Sequence, residues 1–135
     1  MKHEFAVKAK ENSITAGKPL DTDIRVKPGD LIVVTASPDD TWSAGPADRT
    51  SNANGLGNPL GGKQYGLYSN GTYQFLYGSL IGTLDDGKTY FAVGTYMTMT
   101  VLTEGVLKFV YWDGFSADNS GLVKVTVQLY NGPRS

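Results

Sequence analysis

Short segments with apolar residues at every second position, separated by turns, constrain the fold of this chain most strongly. Residues 23–27 alternate in this way, and residues 31–36 form a β-branched apolar run directly after Pro28-Gly29-Asp30. A period of two is typical of strands that bury one face, and Pro-Gly is typical of a type II turn. We therefore predict a β-hairpin across residues 23–36.

The same kind of pattern recurs along the rest of the chain. An edge strand is predicted at residues 5–9, a short strand near 64–68, and a hairpin at Asn70-Gly71. Further strands are predicted at residues 80–84, 89–93, 96–102, 106–112 and 122–130. No segment has a helical period. About eight short strands with regular turns predict an all-β fold, a jelly-roll-like β-sandwich of two small antiparallel sheets in one domain of residues 1–135.

Composition and charge exclude several classes of function. The formal net charge is −1, so the chain has no basic field for phosphate backbones and nucleic acid is not an expected partner. The absence of cysteine excludes disulfides and zinc–thiolate sites. The single histidine, His3, is expected in a frayed terminus, and no Ser-based nucleophile motif is present. We therefore predict that the protein is not an enzyme.

Hydropathy gives no sign of membrane insertion. A membrane span needs roughly 20 consecutive apolar residues, and no segment approaches this length. The first residues also lack the apolar core of about 7–15 residues that a secretory signal needs. We expect an extracellular or surface-displayed protein without a recognisable signal peptide. It leaves the cell by another route, belongs to a larger particle, or has a signal outside this sequence, and a cytoplasmic pool is compatible with these expectations.

Residues 113–119 (the Asp113 turn) concentrate oxygen donors between two strand-like segments. Asp113, Asp118 and Asn119 carry side-chain oxygens within this short turn. Ca²⁺ is bound by about 6–8 oxygen ligands, so the turn is a candidate calcium site. The alternative is an ordinary polar turn, because Asp, Asn, Ser and Gly side chains commonly bond nearby backbone groups. The segment lacks the EF-hand spacing.

A second loop contains Asp39-Asp40 and Trp42, followed by Gly45. This loop is either a solvated tip or a partner of the Asp113 turn that adds a backbone carbonyl near Gly45 to the metal. Trp42 is a core residue, a rim anchor or, if exposed, a stacking platform for a sugar. A separate cluster of tyrosines lies at positions 65, 68, 73 and 77 and is expected in the core or at a subunit interface.

Several segments, in order along residues 22–128, resemble the calcium-dependent galactophilic lectin of Pseudomonas and related lectin-like domains. The segments are residues 24–33, 36–46, 77–82, 91–94, 105–107 and 113–125. The resemblance implies a jelly-roll-like, galactose-binding-domain-like sandwich with one calcium ion at its rim. In that family the ion bridges the protein and two sugar hydroxyls.

The resemblance also implies a set of calcium ligands in this chain. They are the side chains of Asp113, Asp118 and Asn119 and the backbone carbonyls near Ser116 and Gly45. Two features depart from the family. The ligand loop is two residues shorter than in the galactose-binding member, and Asp118 replaces an asparagine.

Sugar-contacting residues are less well matched. The family's sugar-reading histidine and glutamine fall near residues 48–56, where this chain has no histidine. We expect Asn52, Asn54, Trp42 and Asp113 to contact the sugar. The segment near residues 60–74 has no counterpart in the family.

The sequence thus predicts a non-enzymatic, calcium-dependent domain that binds galactosides or other hexoses. Single-site affinity is expected to be weak, so several copies are needed, in a homo-oligomer or another multivalent assembly. The alternative is a structural or adhesive module of a virion or cell surface that keeps the fold and reads no sugar.

Overall fold

The computed structural model describes residues 2–45, 49–56 and 67–133, and these residues form twelve β-strands. The strands are β1 (Lys2–Lys8), β2 (Leu20–Val26), β3 (Leu31–Ala36), β4 (Trp42–Ser43), β5 (Thr50–Ser51), β6 (Leu67–Asn70), β7 (Tyr73–Leu76), β8 (Leu80–Thr83), β9 (Phe91–Ala92), β10 (Tyr96–Thr100), β11 (Gly105–Tyr111) and β12 (Ser120–Tyr130). No helix long and apolar enough to cross a membrane occurs in this part of the chain.

Two antiparallel sheets form the sandwich. The six-stranded sheet has the order β10-β3-β12-β4-β5, with β1 also paired to β12, and the four-stranded sheet has the order β2-β11-β8-β9. This architecture confirms the prediction of an all-β sandwich of antiparallel sheets. The long strand β12 pairs with β1, β3 and β4, so it organises most of the larger sheet.

Strict alternation along β11 divides its side chains between two layers. Leu107, Phe109 and Tyr111 enter the main core between the sheets, where they meet valines of β12 and Trp42. Val110 points to the opposite face of the sheet, into a second apolar cluster. One face of β11 thus fills the sandwich and the other supports an additional layer.

The predicted hairpin across residues 23–36 is wrong, although its turn is correct. Gly29 has φ 94, and the Asp30 N–H donates to the Lys27 carbonyl at 3.0 Å, as in a type II turn. However, β2 pairs with β11 whereas β3 pairs with β10 and β12. The chain therefore crosses from one sheet to the other. The buried Asp30 carboxylate stabilises this crossing by accepting the N–H groups of Lys27 and Gly132.

The additional layer is the β6–β7 hairpin, which covers the outer face of the four-stranded sheet. The hairpin predicted from Asn70-Gly71 is confirmed, with its two-residue loop at Gly71 and Thr72. Trp112 is the buried centre of the covered cluster, and its indole N–H donates to the Tyr68 carbonyl at 2.7 Å. The rings packed around Trp112 are those of Tyr68, Phe75 and Tyr90.

The tyrosine cluster is therefore used mainly for packing. Tyr68 and Tyr73 join the Trp112 cluster, and Tyr77 packs against the main core. Tyr65, like residues 64–66 of the predicted short strand, lies outside the described residues.

The N-terminal edge strand is confirmed as β1. It pairs with β12 along its whole length, so His3, opposite Val127, lies in a strand and not in the frayed terminus that we expected. The error arose because the partner strand lies more than a hundred residues later in the sequence.

Candidate metal centre

Strand pairing brings the Asp113 turn and the loop after β4 to one rim of the sandwich. β11 ends two residues before Asp113, and β12 begins at Ser120. β4 pairs with the start of β12, with Ser43 opposite Ser120. This register places Gly45 beside Asp118, so close that a Cβ at Gly45 would lie 2.5 Å from the Asp118 Oδ2 atom. The two loops whose contact was left open by the sequence therefore meet.

Two buried acceptor oxygens at this rim lack hydrogen-bond partners, and so does the hydroxyl of Tyr111 close by. Asp113 is fully buried, and its Oδ1 accepts the Phe115 N–H at 2.6 Å, whereas its Oδ2 accepts none. Asn119 is 5% exposed, and its Nδ2 donates to the Ala9 carbonyl at 2.8 Å, whereas its Oδ1 has no partner. Buried acceptors are nearly always satisfied, so this pair indicates a ligand that accepts their lone pairs.

The electrostatics of the rim favour a cation. Burial raises the pKa of the Asp113 carboxyl above its usual range, and the nearby Asp118 charge raises it further. Hydrogen bonds from the Phe115 N–H and from the Asn119 and Ser13 side chains lower this pKa, but they offset the rise only in part. The pKa of the buried Tyr111 hydroxyl is also raised, first by burial and then by the same two carboxylates. A cation would offset the repulsion between the carboxylates and lower these pKa values.

The two backbone carbonyls predicted as ligands lie in the same two loops. The Ser116 carbonyl accepts the Asn119 N–H at 3.1 Å and closes the turn, and the Gly45 carbonyl accepts the Ser43 hydroxyl at 3.1 Å. A carbonyl oxygen has two lone pairs, so each retains one for a metal ion.

The donors are of mixed type. Within the described part of the chain, no group of three or more His, Cys, Asp or Glu side chains could hold a metal ion. The rim has two carboxylates, and its other oxygens belong to an amide side chain and to backbone carbonyls. It therefore does not contain three side chains of those four types. Oxygen atoms alone suit a hard cation such as Ca²⁺ and not zinc or copper.

The structure corrects the sugar-contact prediction for Trp42. This side chain is 1% exposed and packs edge-on against the Tyr111 ring at 4.6 Å. Its indole N–H donates inward to the Gly78 carbonyl at 2.9 Å. The ring therefore has no face for a ligand and belongs to the core, the first of the alternatives that we listed for it.

The two predicted sugar-contacting asparagines have structural partners. Asn52 is partly exposed, and its Oδ1 accepts the Asn54 N–H at 2.9 Å. The Asn54 Oδ1 accepts the Thr95 N–H at 2.8 Å and lies against Gly94. Asn54 therefore fixes the turn before β10, and the Asn52 Nδ2 donates to the Pro38 carbonyl at 3.4 Å.

The acidic residues of these loops differ in burial. Asp40 is partly buried, and its carboxylate accepts the Lys124 N–H of β12 at 2.9 Å, whereas Asp39 is an exposed loop residue. Asp48 lies outside the described residues.

Sequence reasoning missed three contributors to the rim. The N-terminal segment supplies the Ala9 carbonyl, and the buried Ser13 side chain lies near the Asp113 carboxyl and lowers its pKa. Phe115, in the Asp113 turn itself, is 62% exposed. No sequence signal links residues 9–13 to the Asp113 turn, but a large aromatic residue between two predicted ligands was visible.

The β6–β7 hairpin supports the rim from the other side. The Tyr68 ring lies against Gly114, where an added Cβ would come within 3.0 Å of it. The Gly114 N–H donates to the Tyr77 hydroxyl at 3.3 Å, and the Tyr68 and Tyr77 rings pack edge to face. The hairpin thus helps to position the Asp113 turn.

Comparison with known proteins supports a lectin-like fold. No family model matches the chain, and no curated protein matches it. Among solved structures, the chain is similar to the N-terminal domain of EclA, described as a PllA-like lectin, with a TM-score of 0.66 and 22% sequence identity. The match covers 94% of this chain and 95% of that one. The class defined by this similarity is a lectin-like β-sandwich.

Proposed function

We propose that this protein binds carbohydrates through a calcium ion held at the rim of the sandwich. The observation that carries the proposal is the pair of buried, unpartnered acceptors, Asp113 Oδ2 and Asn119 Oδ1. The structural neighbour is itself described as a lectin, which supports the carbohydrate half of the proposal.

Five residues would hold the ion. They are the side chains of Asp113, Asp118 and Asn119 and the backbone carbonyls of Ser116 and Gly45. The set is mixed, irregular and made only of oxygens, which suits the flexible coordination of Ca²⁺ better than the strict octahedron of Mg²⁺. Protein ligands fewer than the usual 6–8 would leave positions for oxygens from solvent or a sugar.

The bound ion would supply coordination positions for two neighbouring hydroxyls of a hexose. This chain's own residues would set the orientation of the sugar. Asp118 is exposed at the rim, and its carboxylate can accept hydrogen bonds from sugar hydroxyls. The exposed Phe115 ring can pack against the apolar C–H face of a sugar, the role first assigned to Trp42. Galactosides are the first candidates because of the family resemblance.

A structural or adhesive module without sugar readout is the second candidate. It is favoured by the inward orientation of Trp42 and by the use of Asn54 to fix the turn before β10. In that case the ion would only hold the Asp113 turn against the loop after β4.

Titration calorimetry with CaCl₂ tests the metal half of the proposal. The wild-type protein, stripped with EDTA and dialysed, should bind one Ca²⁺ per chain with measurable heat. Asp113→Asn should abolish this signal, whereas Asp39→Asn, which changes an exposed acid outside the site, should retain it. Equal binding by wild type and Asp113→Asn would refute the assigned site.

A glycan array and titration with methyl galactosides test the sugar half. We expect binding in CaCl₂ and none in EDTA. Phe115→Ala should weaken sugar binding several-fold while leaving the calcium heat unchanged. One bound calcium ion with an empty array and no heat from any hexoside would select the structural module.

A further inference from the structure

The sheet edges of this protein differ in how they are protected. An edge strand offers unpaired N–H and C=O groups that can pair with another chain, and proteins usually blunt it with charge, shortness or a bulge. β5 and β9 have two residues each. β1 carries Lys2, Glu4 and Lys8, and β2 carries Asp21, Asp23 and Arg25.

β10 is the exception among these edges. It has five residues, Tyr-Met-Thr-Met-Thr from Tyr96 to Thr100, without charge, proline or glycine. It pairs with β3 in continuous register and ends the strand order of the six-stranded sheet, so no strand of the described residues covers its other side. Large apolar groups flank this edge: Tyr96 is 64% exposed and Leu102 is 82% exposed.

The part of the sheet face next to this edge, on β3 and β12, is also uncharged. On β3 and β12, Val33 and Gln128 lie in register with Thr98, and Leu31 and Tyr130 lie in register with Thr100. Charged residues constitute 19% of the chain, yet none stands among these positions. An approaching strand therefore meets no desolvated charge at the edge or on the neighbouring face.

The β10 sequence is complementary to itself in antiparallel pairing. With a two-fold axis at the centre of the strand, Thr98 faces Thr98 of the second copy, Met97 faces Met99, and Tyr96 faces Thr100. Thr–Thr and aromatic–Thr neighbours are compatible cross-strand pairs, and no like charges meet. The same operation applied to β2 would place Asp23 opposite Asp23 of the second copy, so β10 is better suited than β2 to pair with a second copy.

We propose that two copies of this chain form a dimer by antiparallel pairing of their β10 strands about Thr98. The six-stranded sheets then become one continuous sheet. Five residues per copy give a contact smaller than a standard interface of about 800 Å² per partner, so we expect a weak dimer that dissociates on dilution. Metal and sugar play no part in this pairing.

The symmetry has a consequence for the rim. The Tyr96 end of β10 pairs with the end of β3 from which residues 37–41 lead into β4, and Gly45 follows β4. A two-fold axis at Thr98 therefore places the two rims at opposite ends of the joined sheet. Such a dimer would connect two separate surfaces and would not bind one surface with both rims.

Sedimentation velocity on the full chain, at concentrations from about 1 to about 500 µM, tests the dimer across the range of a micromolar dissociation constant. We expect a concentration-dependent rise toward twice the 14.5 kDa of one chain, unchanged by EDTA. A single 14.5 kDa species at every concentration would overturn the proposal. Because the dimer is expected in EDTA as well, this experiment tests the dimer whether or not the protein binds calcium or sugar.

Charge substitutions test the strand and the register. Thr98→Lys places like charges opposite each other and should raise the dimer dissociation constant about fivefold or more, and Thr98→Glu should do the same. An equimolar mixture of the two variants should restore the dimer. Thr35→Lys, on the same exposed face but one strand inward, is the matched control and should leave the dimer intact.

Three results would each contradict the pairing. They are a dimer that is insensitive to Thr98→Lys, an equal loss with Thr35→Lys, and a failure of the Lys and Glu variants to restore each other. All three variants must also have circular dichroism spectra and melting temperatures near those of wild type. We expect this result because Thr98 and Thr35 are exposed.

Discussion

Two turns of this protein look alike in sequence and differ in chemistry. Residues 83–89 (the Asp85 turn) and the Asp113 turn both follow a strand and both combine Asp with Gly and hydroxyl residues. In the Asp85 turn, the carboxylate accepts the Thr83 hydroxyl at 3.0 Å and the N–H and hydroxyl of Thr89 at 2.8 and 2.6 Å. In the Asp113 turn, the Asp113 Oδ2 accepts no hydrogen bond.

The pKa values of the two carboxyls shift in opposite directions for this reason. Although partial burial raises the pKa of Asp85, hydrogen bonds from Thr89 and Thr83 lower it below the usual range. Burial dominates at Asp113 and raises its pKa. An acidic turn with all its acceptors satisfied is a structural turn, whereas one with buried, unsatisfied acceptors is a candidate ligand site.

The largest expected difference between the turns is in calcium affinity. Asp113→Asn should weaken Ca²⁺ binding about 100-fold or more, since even indirect contacts to a metal ligand are commonly worth 10–100-fold. Asp85→Asn should leave the affinity within about twofold of wild type, because long-range effects of surface charge are screened by salt. Calorimetry at physiological ionic strength measures both. Similar losses in the two variants would mean that the turns are not distinct.

A pair of glycine substitutions sharpens the comparison by testing the approach of Gly45 to Asp118. Gly45 and Gly17 both have positive φ, at 127° and 73°, so alanine strains the backbone at both. A Cβ at Gly45 would displace the Asp118 carboxylate, whereas a Cβ at Gly17 meets no atom within 4 Å. We expect Gly45→Ala to lower calcium affinity about tenfold, within the range seen for disturbed ligand support, and Gly17→Ala to leave it unchanged.

Asp113→Asn and Asp85→Asn should also change the melting temperature of the metal-free protein, measured in EDTA, in opposite directions. Asp113→Asn removes a buried charge with one oxygen, Oδ2, that accepts no hydrogen bond, and should raise the melting temperature by about 2–4 °C. Asp85→Asn replaces one of two carboxylate oxygens, which together accept three hydrogen bonds, by an NH₂ group in a largely exposed turn, and should lower the melting temperature by about 1–3 °C. Differential scanning calorimetry without metal measures both shifts. A fall in both variants would show that the Asp113 carboxyl has an unrecognised partner in the metal-free protein.

The smallest expected effect is the pH dependence of unfolding in EDTA. Because the pKa of Asp113 is raised above the unfolded value of 3.8, its contribution to stability declines as pH rises from about 3.8 through the raised pKa. Because the pKa of Asp85 is lowered, its contribution is complete above 3.8 and is lost as pH falls through the lowered pKa.

Urea unfolding between about pH 2.5 and pH 7, the interval in which carboxyl groups titrate, separates the two contributions. The Asp113→Asn variant should lose the decline above pH 3.8, and the Asp85→Asn variant should lose the fall at the acid end. Curves of the same shape for both variants and wild type would contradict the assigned shifts.

The strands themselves could be predicted from the sequence because their alternation is local. The pairing of β2 and β3 could not, because the turn at Pro28-Gly29 has the same residues whether it joins neighbours in one sheet or crosses between two sheets. The deciding contact is the Asp30 carboxylate with Gly132, which lies about a hundred residues away in sequence. Long-range pairing of this kind leaves no local pattern.

The three side chains of the candidate site could also be predicted from the sequence, because they too form a local pattern. Asp113, Asp118 and Asn119 stand within one short turn, so their proximity is a property of the sequence. The burial of individual side chains could not be predicted from the sequence. Trp42 is enclosed by the core, and the buried Asn119 donates a hydrogen bond to the carbonyl of Ala9. The unsatisfied oxygens, which are the main evidence for a cation, are a result of that burial.

The most direct test of the account is a high-resolution crystal structure of the protein grown with CaCl₂. The account predicts one strong anomalous peak at the rim, with oxygens of Asp113, Asp118 and Asn119 about 2.3–2.6 Å from it. An ordered water alone between Asp113 Oδ2 and Asn119 Oδ1, at ordinary hydrogen-bond distances and without anomalous signal, would contradict it.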